Sequence, residues 1–265
     1  MIRPSAPDSI TGQATDVLAG VLSRLYGYAL MSWLVVTRWS RLREPQLRQQ
    51  LHRQVHLVGI SALPVIVALA VLTGAAAVTQ VTALVGTGSD AAQKWLFYGL
   101  FFELAPLFCA LVLVARSSAA MASELVVMHL HDEFTALRRM GIPPADYLLL
   151  PRILGLALVL PAVTILFQLV SVVSGWLAVA LLHEQPLSQM MGHFFDLADP
   201  WMTLLSLGKS AVMGLLIGVI ACHHGSSAAR SSRAISDAAV HAVGNGLVAV
   251  FGVDVAFGLL AYWLR

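Results

Sequence analysis

Charge is what this sequence has least of. Only 11% of its 265 residues are Asp, Glu, Lys or Arg, against about 25% in an ordinary soluble domain. Hydrophobic residues make up 58%, and the mean hydropathy is +0.80. A soluble fold of this size could not cover so much apolar surface, and no stretch is polar enough to build a second, soluble domain. A formal net charge of +2 is too small to draw a nucleic acid. The two cysteines, Cys109 and Cys222, both fall in apolar runs without CxxC spacing. They read as packed small hydrophobes, not as a disulfide. Residues 1–16 contain no apolar core of a signal peptide, so the membrane spans themselves must direct insertion. No Walker P-loop, GxSxG, GxGxxG or HExxH occurs in a plausible setting. His129, His131, Asp132 and Glu133 have the composition of a metal site. Side chains two apart on a helix diverge by about 200°, however, so no metal is expected there.

What is present is a series of long apolar runs, at about 57–86, 95–118, 147–182, 201–223 and 238–264. At about 1.5 Å per residue each can cross the ~30 Å hydrocarbon layer. The expected fold is an all-α integral membrane protein with five transmembrane helices. Ahead of them, residues 17–36 set Leu18, Val21, Leu22, Leu25, Ala29, Trp33 and Val36 at helical spacing, with Arg24 the only charge inside. An amphipathic helix lying in the interface is expected, with Trp33 and Trp39 at headgroup level. The rival is a further span. The chain thus divides into a tail and interfacial helix over 1–54 and a five-helix membrane domain over 55–265. Pro64 and Gly74 in the first run predict a kink or a close helix contact. Gly214 and Gly218 form a GxxxG, a spacing that permits close packing but is common in apolar runs.

Loop charges set the orientation. With the N-terminus cytoplasmic, Arg3, Arg24, the arginines from Arg38 to Arg53, Arg138, Arg139, Arg152, Arg230 and Arg233 all lie inside. Only Lys94 and Arg265 lie outside, and the acidic loop 184–199 falls outside as well.

Ionisable groups at membrane depth are expensive and mark function by default. Glu103 lies about 12 Å from the outer start of its run at Trp95, Lys209 about 12 Å from Trp201, and Asp254 about 15 Å from Leu264. Three helices therefore carry a charged group at one level, and Lys209 is expected near Asp254 or Glu103. Either they face one hydrated cavity, or they form a structural ion-pair network that closes the bundle. Arg116, at the cytoplasmic end of its run, is explained by snorkelling.

Between the second and third runs, Val126, Leu130, Phe134 and Leu137 form one helical stripe. Asp132 and Glu133 precede Arg138 and Arg139, an order that complements a helix dipole. Gly141, Pro143 and Pro144 supply a stop. A cytoplasmic helix over about 123–140 is expected. It either packs on its own bundle or engages a separate motor.

Several stretches resemble the MlaE/YrbE permease family of MCE-associated ABC transporters. They are Glu103-Leu104 with Pro106, Ala115-Arg116, Ser123–Leu125 with Met128, the run EFTALRRMGIPPADYLLLPR from Glu133, LVLPAVTIL from Leu158, GKS around Lys209, and FGVD ending at Asp254. The resemblance covers roughly 45–265. Where the family often has Arg before that Glu this chain has Phe102, and Ser117 replaces a usual Gly. The resemblance implies a homodimeric permease of the bacterial inner membrane, with a coupling helix that includes Glu124, Leu130, Glu133, Phe134, Leu137, Arg138, Arg139 and Gly141. It also implies cytoplasmic ATPase subunits that bind ATP and Mg, a periplasmic MCE-domain protein, and a lipid cargo, phospholipid above all, in service of outer-membrane lipid asymmetry. Glu103, Lys209 and Asp254 match charged positions beneath the lipid pocket. No cofactor is expected in this chain itself. The alternatives are an ion-coupled secondary transporter, although five unequal spans do not divide into inverted repeats, and an intramembrane enzyme using Ser123 with Glu124 or Ser206 with Lys209.

Overall fold

The computed structural model describes residues 26–33, 37, 45–85, 99–183 and 200–263, and among them there is no strand. Helix α1 spans Pro45–Val85. Helix α2 runs from Gly99 to Leu130, its α-helical segments Ala105–Leu113 and Ala119–Leu130 alternating with π-helical turns at Gly99–Leu104 and Val114–Ser118. The short α3 is Glu133–Arg139. Helix α4 opens with a π turn at Ala145–Leu149 and continues over Leu150–His183, α5 is Pro200–Ser227 and α6 is Arg233–Trp263. Five of these helices are long and apolar enough to cross a membrane. Several continue past the apolar runs that predict them. Helix α1 begins at Pro45, a residue suited to a first helical turn, and α2 extends to Leu130.

Consecutive spans alternate in direction, which gathers Arg48, Arg53, Arg138, Arg139, Arg152, Arg230 and Arg233 at one end of the bundle. Helix α4 is the axle, packed along both α1 and α5, while α5 also packs along α2 and α6. Lipid tails are as apolar as leucine, so helices associate through close contact and small residues rather than by hydrophobic expulsion. A Cβ added at Gly74 of α1 would strike the Ser171 carbonyl of α4. Facing it, a Cβ at Gly175 would meet Val78 Cγ2 at 2.5 Å. The Ser171 hydroxyl donates to the Ala70 carbonyl across the same contact at 3.1 Å. The Gly214–Gly218 pair plays the corresponding part for α5. Added Cβ atoms there would lie 2.5 Å from the Leu156 carbonyl oxygen and 2.8 Å from Ile153 Cα of α4. Around these contacts lie Ile66, Leu113, Leu156, Leu160, Phe167, Met213 and Ile217, all buried.

Helices α1 and α6 are the least covered, with 22% and 11% of their apolar stretches buried against 56% in α4 and α5. In α6, Val240, Val248, Phe251, Val255 and Leu259 point away from the bundle.

The single helix expected over 123–140 is divided. Helix α2 continues unbroken through Ser123, Glu124 and Leu130. It ends where Asp132 takes a left-handed φ of 58°, which Asp tolerates better than most residues. Beyond that break, α3 has only seven residues. Its stop is the predicted one. Gly141 sits at φ 77°, Gly141 N–H donates to the Arg138 carbonyl at 3.1 Å and Ile142 N–H to the Leu137 carbonyl at 3.0 Å. That is the paired bonding of a Schellman cap.

Residues 26–33 are helical. Tyr28 anchors them to the last turns of α5 and to the middle of α6. Its hydroxyl lies 2.9 Å from His224 Nε2 and accepts from Asn245 Nδ2 at 3.3 Å. The rest of the expected 17–36 helix, and the acidic loop 184–199, lie outside the described residues.

The glycines yield a sign-opposed prediction. Gly214→Ala forces a methyl into the α4 backbone and lowers the melting temperature of the detergent-purified chain, the over-packing penalty being about 1–3 kcal/mol. Gly208, with nothing among the described residues within 4 Å of its added Cβ, should leave that temperature equal or higher as Ala, because helix propensity favours Ala by up to ~1 kcal/mol. Tryptophan-fluorescence melting of both variants checks the pair.

Candidate functional site

The three charged residues placed at one level by residue counting come together. Lys209 of α5 lies with its ammonium 2.8 Å from Glu103 Oε2 of α2 and 2.7 Å from Asp254 Oδ1 of α6. The Glu103 contact is an aligned hydrogen bond. The Asp254 contact is an ion pair whose oxygen has no aligned donor among the described residues. A third contact runs to the Phe102 carbonyl at 3.4 Å, so the three donors of the ammonium face two carboxylates and one carbonyl. The Phe102 ring adds its face, 4.8 Å from Nζ to the centroid, within the range of a cation–π contact. Phe102, the departure from the family pattern, is therefore part of the site.

Burial is uneven. The Lys209 side chain is 0% exposed, while Glu103 keeps 31% and Asp254 19% of theirs. The cation is thus sealed in and the carboxylates reach the surface of the chain. An ammonium alone at this depth costs several kcal/mol, and two carboxylates at hydrogen-bonding distance offset that cost. The backbone contributes too. Glu103 lies in the π turn Gly99–Leu104, a geometry that shifts the register of side chains and recurs at functional sites.

One turn before Lys209, Ser206 accepts a 3.1 Å hydrogen bond from Gln168 of α4, both side chains buried. This pair ties α4 to the charged level. The sequence offered a signal for it, a lone amide in a charge-free run, which hydropathy does not register. The geometry does not favour the nucleophile–base pair considered for Ser206 and Lys209: Lys209 Nζ is directed to Glu103 and Asp254, while the Ser206 hydroxyl is bonded to Gln168. Ser123 bonds back to its own helix at Ala119 and Ala120 carbonyls, 3.0 and 2.9 Å away, and Glu124 turns to Arg152.

At the arginine-rich end, the residues expected to form a coupling helix separate into two sets. Phe134 is buried in a cluster with Leu125, Leu150, Ile153 and Val219, so it anchors α3 and does not present a docking face. Leu130 packs against Ala122, Val126 and Ala234, and Leu137 is half-buried. The His129 ring lies 5.2 Å from that of Phe134, whereas His131 is exposed. Glu133, Arg138, Arg139, Met140, Gly141 and Ile142 are the outward set. Asp132 is held to the α5–α6 connection by Arg230 at 3.0 Å, both largely exposed.

Sequence reasoning missed Arg152, using it only to set the orientation. Its side chain is 5% exposed and pairs with Glu124 Oε2 at 3.2 Å. It also approaches the Met121 carbonyl at 3.5 Å and Met128 Sδ at 3.8 Å.

The sequence is similar to those of known proteins. A family model described as Permease MlaE matches residues 51–260, from the second turn of α1 almost to the end of α6. Over 227 residues the chain is 23% identical to a probable ABC transporter permease protein of Rickettsia conorii, taking in 84% of this chain and 86% of that protein. A probable ABC transporter permease protein of Synechocystis is 27% identical over 172 residues, 60% of this chain and 65% of its own length. The chloroplastic protein Trigalactosyldiacylglycerol 1 of Arabidopsis thaliana is 29% identical over 152 residues, which is 57% of this chain and 43% of the plant protein. With a family match across most of its length and five membrane-length helices, the chain belongs to the MlaE permease family: it is a multi-pass ABC transporter permease, a transport subunit rather than an enzyme.

Proposed function

We propose that the chain is the permease of a lipid-moving ABC transporter, with phospholipid as cargo and a cytoplasmic ATPase as its motor. The carrying observation is the Lys209 cluster, a sealed cation whose two carboxylates reach the protein surface at membrane depth. Such a level matches a molecule with an apolar body and a charged head, because the polar end needs a partner at a depth where acyl chains offer none. The plant relative carries the name of a glycolipid, trigalactosyldiacylglycerol, which agrees with lipid cargo.

The remaining assignments follow from charge and surface. The arginine-rich end faces the cytoplasm under the positive-inside rule, in a bacterial inner membrane with the N-terminus inside. Two copies pair in the membrane, for which α6 offers an apolar, outward face with nothing among the described residues over Gly244 and Gly252. The motor, which binds ATP and Mg, docks on α3 and the turn after it through Arg138, Arg139 and Ile142, and an MCE-domain protein receives lipid on the opposite side. ATP binding moves α3, and that displacement reaches the charged level through α2, which carries both Glu103 and the link to α3.

Full burial of Lys209 favours a second reading, a purely structural ion-pair network. Removing Lys209 alone would strand two carboxylates, a loss of about 3–5 kcal/mol, and so cannot separate the two. The neutral triple variant Glu103→Gln, Lys209→Met, Asp254→Asn can. Full replacement of a buried ionic group is often neutral in stability, so the melting temperature should hold while lipid transfer by the complex falls by about tenfold or more. Transfer that stays at the wild-type rate establishes the structural reading. The docking assignment has its own check. Arg138→Glu with Arg139→Glu changes exposed side chains and should leave folding within about 0.5 kcal/mol, yet ATPase recovered with the tagged chain should fall by about tenfold. Undiminished recovery removes α3 as the docking element.

A further inference from the structure

We propose that Arg152 is the positioning residue that locks the two legs of the α2–α3–α4 hairpin together, so that a push on α3 reaches both membrane helices as one lever. The proposal rests on the reading of α3 as the motor's docking element, although its structural half can be tested without a motor.

The geometry is that of a strut. Arg152 lies in the first turns of α4 and is 4% exposed. Its guanidinium reaches Met121, Glu124 and Met128. These lie three and four residues apart along one face of α2, spanning about 10 Å of helix. A single side chain of α4 therefore grips two turns of α2, and everything between the grip points is the hairpin itself, from His129 to Pro151.

The chemistry selects arginine. One arm of a planar guanidinium can pair with a carboxylate while the other reaches a carbonyl, and the fork loses little freedom in doing so. The Met121 carbonyl lies within a helix and still has a second lone pair to offer. Lysine could keep the charge pair with Glu124 but not the forked contact.

The surroundings give the strut a purpose. Phe134 enters the cluster that includes Leu125, Leu150 and Ile153, the residues flanking the grip. Helix α3 is thus pinned inward by one aromatic ring while Arg138 and Arg139 stand outward. Held by that ring and the exposed Asp132–Arg230 pair alone, α3 could rock about Phe134 and the legs could splay. With Arg152 in place the legs hold their separation. An apolar residue would fill the same space without the burden of a nearly buried cation. Glu124 remains 59% exposed, so that burden falls on Arg152 alone. The return is a fixed register between α2 and α4, the best-attested use of a buried polar or charged group.

Hydrogen–deuterium exchange on the full chain in detergent micelles is the primary test. Arg152→Met should speed amide exchange over residues 129–144 by about tenfold while α1 and α5 keep their wild-type protection. Arg152→Lys should recover part of the loss, and Glu124→Gln, at an exposed site, should raise the same peptides by about threefold. Unchanged exchange in 129–144 for both Arg152→Met and Glu124→Gln overturns the strut, as does a uniform rise across all helices. If Arg152→Met fails to fold, Glu124→Gln decides alone.

The lever is then read in the complex with its ATPase, using phosphatidylethanolamine carrying a fluorescent acyl chain. Arg152→Met should keep ATPase recovery and hydrolysis but lower the lipid moved per ATP by about tenfold, with partial rescue by Lys. Hydrolysis and transfer falling in proportion overturn the lever. A wild-type chain that recruits no ATPase sinks the transporter reading and the lever with it, while the exchange result still decides whether Arg152 is a strut.

Discussion

Helices that cross a bilayer gain nothing by trading lipid contact for contact with an apolar side chain, because lipid tails are as apolar as leucine. Cohesion must come from surfaces that fit closely and from polar groups that find partners only inside the protein. The bundle is built on that constraint. Glycines at 74 and 175 bring α1 and α4 into backbone contact, and Gly214 with Gly218 do the same for α5 against α4. Hydroxyl and amide bonds, from Ser171 to the Ala70 carbonyl and from Gln168 to Ser206, cross the seams so formed. Helix α4 meets three needs at once as partner of α1, partner of α5 and bearer of these bonds.

The same constraint explains why the charged residues cluster. Lys209 can remain at depth only because α2 and α6 bring carboxylates to it, and Arg152 can be buried only because α2 offers Glu124 and a carbonyl. Helix α2 therefore holds a polar tie at each of its ends, to α5 and α6 at one and to α4 at the other. It is also the helix with two π turns, where its register can differ from that of a regular helix. A member that joins both polar ties and leads directly into α3 is mechanically suited to relay movement between the two ends of the bundle. Helix α6, by contrast, is tied in by Asp254 and by a seam of small residues, Ala234, Ala238 and Ala242.

Much of this was legible in the chain. Five apolar runs become five membrane-length helices, and the stop at Gly141 is read from Gly followed by two prolines. The agreement in depth of Glu103, Lys209 and Asp254 becomes direct contact. Other features were not legible for definite reasons. The stripe Val126, Leu130, Phe134, Leu137 has helical spacing, but periodicity cannot register the single left-handed residue, Asp132, that splits it. Nor can it tell an anchoring face from a docking face, and Phe134 turned out to be an anchor. Arg152 followed a proline at an apparent membrane edge, where an arginine ordinarily reaches out to water. Here it turns inward.

The division follows from helix geometry. Rise per residue is nearly constant, so position along the membrane normal is a matter of counting, and the sequence by itself determined the five long apolar helices, their alternation and the common level of the three charges. Position around each helix axis is not additive in that way. It depends on how each helix is rotated against its neighbours, on π turns that shift the register, and on glycines that admit one backbone to another. Only the tertiary structure could decide that Lys209 sits between two carboxylates, that Gly214 and Gly218 face α4, and that Arg152 closes the hairpin.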